Sequence, residues 1–342
     1  MSATVERRGI FAHYLRPLVT AMAAAAVLAG ISALVAPPRV SAYFIQIAVI
    51  AGCNVILAVS LNLVNGFAGQ FSIGHAGFMA IGAYTTAKIS VAVGDKWLAP
   101  YTTAPYGTIA TSLYLVGLMI IGGLVAAIAG LLVGLPSLRL RGDYLAIATL
   151  GFGEIIKVIF LNTPAVGGAT GLKDIPQFTN VFLVLGAVAV TVIVIRNLMS
   201  SVHGRAILAV REDETAAEAL GIDCAHYKTA AFVIGAFFAG VAGCLYAHYL
   251  QYIVPRSFDF MKSIELVLMV VLGGGTITGA IVAAIGVTLL PEGLRQVKDV
   301  FHLTTDPRMV IYAALLIGVM LLRRDAVPKA LRSKRAGGGA HG

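Results

Sequence analysis

Charged residues are scarce in this chain of 342 residues. Asp, Glu, Lys and Arg make up 12% of it, 58% is hydrophobic, and the mean hydropathy is +0.89. Soluble domains carry about 25% charged residues, so the composition excludes a protein whose surface mostly faces water. The net charge of +9 comes from basic residues at the chain ends and between apolar runs. That distribution favours a lipid bilayer and argues against nucleic acid as a partner.

Cysteine and the motifs of catalysis are also missing or rare. Cys53, Cys224 and Cys244 have no spacing suited to a disulfide framework or a metal site, and we expect them to be small buried hydrophobes. The sequence contains neither a phosphate-binding loop of the G-x-x-x-x-G-K-[ST] type nor an H-E-x-x-H motif, and its histidines are scattered. We therefore predict no cofactor, no metal and no enzymatic activity, and the chain cannot hydrolyse ATP itself.

What the sequence has instead is long runs without charge. The first begins at Pro17, after Arg7, Arg8 and Arg16. A secretory signal ending near Val40-Ser41-Ala42 is an alternative, but the apolar part of a signal is typically about 7–15 residues long. The longer run favours a first transmembrane helix with a cytoplasmic N-terminus.

The remaining runs predict an all-α, polytopic bundle of about ten transmembrane helices in a single domain, 1–342. Six basic residues follow the last apolar run, which places the C-terminus in the cytoplasm and makes the number of spans even. Residues 1–16, the loop 200–228 and the basic tail 323–342 are then cytoplasmic. The predicted spans are 17–36, 41–64, 75–93, 108–135, 144–162, 181–199, 229–252, 262–273, 276–290 and 308–322.

Two glycine-rich segments, Asn65–Gly77 and Leu272–Gly279, interrupt these spans. Broken helices in a membrane must be shielded inside the bundle or line water, so both segments are candidates for a transport route. The alternative is that their glycines only allow close helix packing. Glu154 and Lys157 form the only ionisable pair that we expect in the middle of a span, and a functional and a structural role are equally open.

The cytoplasmic loop contains a short predicted helix, from Thr215 to Leu220, that Gly221 ends. The charged run Arg211-Glu212-Asp213-Glu214 precedes it, and acidic residues suit a helix N-terminus. A helix this short is marginal alone in water, so we expect it to dock on another surface. A merely solvated loop is the alternative.

Several motifs resemble those of bacterial branched-chain amino-acid ABC transporter permeases. The stretch Leu61–Ala76 is similar to an early signature of this family, and Arg139–Leu150 followed by Glu154 is similar to its M-type subunit. The loop residues and the segment from Ser263 to Glu292 also match, so the resemblance runs from about Ile45 to Leu322. The general importer pattern E-A-A-x-x-x-G is not met, because Glu214 lies one residue too far from Gly221.

The resemblance implies a permease subunit in a bacterial inner membrane, with a type II ABC importer-like fold. Its partners would be an H-type permease subunit, two ATPase subunits and an extracytoplasmic binding protein that delivers leucine, isoleucine or valine. The expected ATPase-coupling residues are Arg211, Glu212, Glu214, Glu218, Ala219, Leu220 and Gly221. The expected translocation-pathway residues are Asn62, Gln70, Ser72, His75 and Glu154.

Other functions remain open at this stage. Permeases for urea, short amides or other amino acids share much of the pattern. A secondary transporter or channel that works alone would also explain the spans and the Glu154–Lys157 pair, but it would not need a loop helix suited to docking.

Overall fold

The computed structural model describes residues 42–94, 107–137, 140 and 142–301. The predicted spans 17–36 and 308–322 and both predicted cytoplasmic termini lie outside these residues. Within them the chain is helical. Ten α-helices follow in order: α1 Ala42–Asn62, α2 His75–Ile89, α3 Gly107–Ser137, α4 Asp143–Leu161, α5 Val181–Ser200, α6 Val202–Glu212, α7 Glu214–Ala219, α8 Cys224–Leu250, α9 Phe260–Gly273 and α10 Ile277–Phe301.

Among the described residues, six helical segments are long and apolar enough to cross a membrane, and the chain is a polytopic helical bundle. They are Tyr43–Phe67, His75–Val93, Thr111–Ser137, Tyr144–Leu161, Val181–Ser200 and Cys224–Leu250. The first and second include short π-helical turns, Leu63–Phe67 and Ser90–Gly94, which continue α1 and α2. The apolar part of α10, Ile277–Pro291, is shorter.

Helices α1 and α8 form the centre of the bundle, and α4 and α5 lie outside it. In α1 and α8 most of the apolar span is buried, whereas only 17% of the α4 span and 22% of the α5 span are buried. Small residues let α8 approach its neighbours closely. A Cβ atom on Gly240 would lie 2.6 Å from the carbonyl oxygen of Gly122 in α3, and one on Gly82 in α2 would lie 2.2 Å from that of Gly240. Only glycine fits these crossings.

The two ends of the bundle are built differently. At one end, α6 and α7 lie between α5 and α8. At the other, the loop after α4 pairs with the loop after α8, because Leu172 and Ile253 exchange backbone hydrogen bonds of 2.9 and 3.1 Å. Tyr252 also donates its hydroxyl to the carbonyl oxygen of Thr170 at 2.7 Å. These contacts close the end that lies away from α6 and α7.

Helix α6 was not predicted, and α8 and α10 extend well beyond their predicted boundaries. The loop 200–228 contains α6 as well as the short helix, and Ser201 caps α6 by accepting a hydrogen bond from the backbone N–H of Gly204 at 3.3 Å. Helix α8 begins at Cys224 rather than at 229, after Asp223 caps it in the same way. Helix α10 passes through Pro291 to Phe301. The prediction stopped each span where charges begin, but a helix can continue into polar surroundings.

Candidate functional site

The first glycine-rich segment forms a true break between α1 and α2. After the π-helical turn the backbone leaves the helix at Ala68, and α2 begins at His75. Gly69 has φ +67°, a conformation that favours glycine. Asn65 closes the break, since its side chain donates to the carbonyl oxygen of Ser72 at 3.2 Å and accepts from the N–H of Ser72 at 3.1 Å. The break is therefore an ordered structure.

Four of the predicted pathway residues lie in and beside this break. Asn62, Gln70, Ser72 and His75 are each at most 4% exposed. His75 Nε2 lies 2.9 Å from the hydroxyl oxygen of Ser60. The side chains of Asn62, Gln70 and Ser72, in contrast, find no hydrogen-bond partner among the described residues. Buried polar groups without partners are rare and lower the stability of the folded protein. The polar atoms of this segment therefore remain free to bind another molecule, although this costs stability.

The fifth predicted pathway residue, Glu154, is not part of this group. It lies on the outer helix α4 and forms an ion pair with Lys157, and its side chain is 38% exposed. Other residues of α4 contact the break. The hydroxyl oxygen of Thr149 accepts a hydrogen bond from the N–H of Ile73 at 3.1 Å, and a Cβ atom on Gly77 would lie 3.1 Å from the Cα of Gly153.

The second glycine-rich segment meets the first. Helix α9 ends at Gly273, and Gly274 and Gly275 both have φ +72° before α10 begins. A Cβ atom on Gly66 would lie 3.1 Å from the Cα of Gly275 and 2.1 Å from Oδ1 of Asn62. The two interruptions, which are more than 200 positions apart in the sequence, are thus in van der Waals contact at one end of the bundle.

The short loop helix α7 has a defined cap at each end. The carboxylate of Asp213 accepts hydrogen bonds from the backbone N–H groups of Thr215 and Ala216 at 2.9 and 3.1 Å. At the other end Gly221 has φ +83°, and the N–H of Ile222 donates to the carbonyl oxygen of Ala217 at 3.0 Å. Both terminal arrangements follow from the local sequence.

Helix α7 buries one face and exposes the other. Ala217 packs with Val210 and Cys224. The predicted coupling residues at its C-terminal end, Glu218, Ala219, Leu220 and Gly221, are all exposed. Leu220 is 81% exposed, which is unusual for a leucine in a polar segment. Together these residues form a small surface with one apolar side chain at its centre.

Two predicted coupling residues nearer the start of α7, Arg211 and Glu214, contact the bundle instead. The guanidinium of Arg211 donates to the carbonyl oxygen of Gly66 at 3.1 Å and pairs with Glu212. A Cβ atom on Gly69 would lie 2.6 Å from Cγ of Arg211. Glu214 pairs with Lys228 at the start of α8. Together with residues 68–71 of the first break, Arg211, Glu214 and Lys228 line a pocket of about 60 Å³.

Sequence reasoning missed a second Lys–Glu ion pair, which lies at the start of α9 rather than in the middle of a predicted span. Lys262 donates to Glu265 and to the side-chain oxygen of Asn54, both at 3.0 Å. The amide of Asn54 donates to the hydroxyl of Thr288 at 2.8 Å. We call these four residues the α9 network. The i, i+3 spacing of Lys262 and Glu265 was a usable signal, but the predicted span began at 262 and made the pair look terminal.

Among the described residues, no three His, Cys, Asp or Glu side chains group closely enough to hold a metal ion. The site consists of buried polar side chains at helix breaks, ion pairs within apolar helices and a capped loop helix with an exposed end. Such features define a multi-pass membrane protein of the transporter class, in which polar groups inside the bilayer mark solute routes.

Comparison with known proteins identifies the family. Residues 43–322 match the family described as branched-chain amino acid transport system / permease component, and the chain belongs to it. It is 37% identical to the high-affinity branched-chain amino acid transport system permease protein LivM of Escherichia coli K12, over 80% of this chain and 69% of the relative. The LivM protein of Salmonella typhimurium is 36% identical over the same shares.

A second kind of relative matches a shorter part of the chain. The permease protein LivH of the same Escherichia coli transport system is 36% identical over 120 residues, which is 35% of this chain and 37% of the relative. No solved structure matches the chain significantly.

Proposed function

We propose that this chain is the M-type permease subunit of an ATP-driven importer for leucine, isoleucine and valine, and that it forms the translocation pathway with an H-type permease subunit. The observation that carries the proposal is the family match, which covers almost every described helix. The names of the LivM and LivH relatives supply the substrate class and the second subunit. The resemblance to M-type motifs in Arg139–Leu150 and in the cytoplasmic loop agrees with this assignment.

The proposed assembly is a type II ABC importer-like complex in the inner membrane, with ten spans in this chain and both termini in the cytoplasm. Two separate subunits hydrolyse ATP, since the sequence has no phosphate-binding loop. A binding protein outside the cytoplasm delivers the amino acid. The six apolar helices and the position of α6 and α7 at one end of the bundle are compatible with this topology.

We assign the pathway to the first break and the helices around it. The unpaired polar atoms of Asn62, Gln70 and Ser72 support this assignment, because they can exchange hydrogen bonds with a passing solute. His75 borders the same segment. Glu154 faces away from it, so a role in the pathway requires that α4 line the junction with the second permease subunit.

The exposed end of α7 is the proposed docking surface for the ATPase. Leu220 would enter a groove of the ATPase, with Glu218, Ala219 and Gly221 beside it and Glu212 at the edge. Movement of α7 would reach the pathway through Arg211, which lies between α7 and the carbonyl group of Gly66. Because Gly66 contacts Gly275, one displacement would act on both breaks. ATP binding would thus shift the populations of outward- and inward-open states.

Reconstitution tests the proposal. The chain, an H-type subunit, two ATPase subunits and a binding protein are placed in liposomes, and uptake of labelled leucine is measured with and without ATP. We expect uptake that requires ATP and that isoleucine and valine reduce by competition. Uptake by the purified chain alone down an ion gradient would identify a secondary transporter and refute the proposal.

A variant of Gly221 tests the coupling role within that system. Gly221→Val leaves open space around the new side chain but forces a β-branched residue to φ +83°, at a cost of about 1–3 kcal/mol, which distorts the end of α7. We expect uptake to fall by about ten-fold or more, with normal insertion. Gly186→Val is the matched control, because its Cβ would also meet open space in an ordinary helix. Normal uptake by Gly221→Val would remove α7 from the coupling mechanism.

A further inference from the structure

Lys262 and Glu265 are an ion pair within the apolar bundle, on the first turns of α9. The side chains of the two residues are 17% and 21% exposed. Lys262 lies about 17 Å along the helix from Gly273, at the far side of the bundle from α6 and α7. The hydrocarbon core of a bilayer is about 30 Å thick, so the pair lies within it if α9 is a span, as the proposed topology has it. Charged residues there are costly and mark functional sites by default.

The pair is held by a polar framework from three helices. Asn54 of α1 accepts from Lys262 and donates to Thr288 of α10, and the hydroxyl of Thr288 donates to the carbonyl oxygen of Ala284 at 2.7 Å. Asn54 is 3% exposed and Thr288 is 9% exposed. The two charges are therefore fixed in position from the buried side, while their other side retains some access.

On that accessible side, both charged groups have hydrogen-bonding atoms without a partner among the described residues. An ammonium group has three N–H donors, and Lys262 uses two of them in the described part of the chain, for Asn54 and Glu265. Of the two carboxylate oxygens of Glu265, Oε2 binds Lys262. One donor on Lys262 and the other oxygen of Glu265 remain for a ligand that carries both signs of charge.

An apolar surface adjoins the pair on the same helix. Met261 is 47% exposed and Ile264 is 36% exposed. Met261 lies four positions before Glu265 and is therefore its neighbour on the helix surface, and Ile264, three positions after Met261, extends the same apolar face. Binding sites for small molecules commonly combine such an apolar surface with a few fixed polar groups.

From this geometry we propose that Lys262 and Glu265 form a subsite for the zwitterionic head of an amino acid. Lys262 takes the α-carboxylate, Glu265 takes the α-ammonium group, and the aliphatic side chain of the substrate lies on Met261 and Ile264. At neutral pH both ends of an amino acid are charged, and a matched pair replaces the water around them without adding net charge to the membrane. This inference rests on the proposed function.

A double variant separates this role from a structural one. Replacing a buried ion pair by apolar residues of similar volume is often neutral or stabilising. The remaining loss is the hydrogen bond from Lys262 to Asn54, so Lys262→Met/Glu265→Met should stay folded and unfold at a higher temperature than Glu265→Met alone. We expect ATP-dependent leucine uptake by the assembled complex to fall by about ten-fold or more. Lys88→Met, which removes an exposed lysine at the end of α2, should keep uptake unchanged.

A second measurement needs only the purified chain. A photoreactive leucine analogue with a diazirine in its side chain should crosslink to Met261 or Ile264 in the wild type, and the double variant should lose that crosslink. Wild-type uptake rates in the double variant, or a crosslink that persists in it, would overturn the subsite. Failure of the wild-type complex to take up leucine would instead overturn the proposed function, and the crosslink would still decide the subsite.

Discussion

The bundle contains two Lys–Glu pairs with the same i, i+3 spacing and different surroundings. Glu154 and Lys157 lie on α4, of which little is buried, and they bind each other. Lys262 and Glu265 lie on α9, and hydrogen bonds from Lys262 to Asn54 and from Asn54 to Thr288 join α9 to α1 and α10. Equal spacing on one helix therefore says nothing about whether a charge pair is isolated or part of a network.

The difference predicts where a lost charge costs most. Removing one partner of a mostly buried pair leaves an uncompensated charge, whereas removing one partner of a pair on the outer surface leaves a charge that can reorient. Stability should therefore respond strongly to single changes in the α9 network and weakly to the same changes on α4. The following variants test this order, with stability measured as thermal unfolding of the purified protein in detergent.

The largest effect is expected for Glu265→Met. The change leaves the ammonium group of Lys262 without its counter-charge in an interior where that costs about 3–5 kcal/mol. The midpoint of thermal unfolding should fall well below that of the wild type. Adding Lys262→Met should reverse most of this decrease, because no unpaired charge remains and only the Asn54 side-chain oxygen loses a partner. A single variant as stable as the double variant would show that the pair is not electrostatically coupled.

Asn54→Leu should give the next largest effect, because Asn54 joins the ion pair to α10. Its loss leaves a donor of Lys262 unpaired and an acceptor site on Thr288 empty, at a cost of about 1–3 kcal/mol. Asn62→Leu is the matched control on the same helix: Asn62 is fully buried, and its amide has no partner in the described part of the chain. That variant should be as stable as the wild type or more stable, and equal losses from both changes would contradict the network.

Thr288→Val removes the outermost member of the network. The variant leaves the Asn54 amide without an acceptor, and we expect a loss of about 1 kcal/mol. Thr191→Val on α5 is the control, because Thr191 is also buried and also donates to the carbonyl oxygen four positions earlier, at 2.7 Å. In the described part of the chain, the hydroxyl of Thr191 bonds only within its own helix. The difference in unfolding free energy between the two variants therefore measures the hydrogen bond between Asn54 of α1 and Thr288 of α10.

Features that depend on neighbouring residues could be predicted from the sequence. The loop helix was expected at Thr215–Leu220 and is found at Glu214–Ala219, because Asp213 and Gly221 fix its ends through local hydrogen bonds. The apolar helices follow from gaps between charges, and the family from motifs that are continuous in the chain. The glycines of Asn65–Gly77 predicted the break between α1 and α2.

Features that depend on distant residues could not be predicted. Asn54 and Thr288 are separated by 234 positions, and no pattern in either segment indicates the other. The contact between Gly66 and Gly275 and the hydrogen bond from Arg211 to Gly66 also join residues that are far apart in the sequence. For Glu154 the spacing with Lys157 predicted the ion pair but not its place on the outside of the bundle, because helix periodicity does not say which face a neighbour covers.

The smallest effect on stability is expected for Glu154→Gln. The carboxylate is 38% exposed and has one ionic partner, so its loss should change the free energy of unfolding by less than about 1 kcal/mol.

Leucine uptake by the assembled complex tests whether Glu154 belongs to the pathway, which stability does not. If α4 lines the junction with the second permease subunit, the assembled complex should lose uptake although the isolated chain is as stable as before. Lys157→Gln should then have the same effect, since either change leaves one charge uncompensated at that junction. Unchanged uptake in both variants would remove Glu154 from the pathway and leave the α9 network as the charged group that contacts the solute.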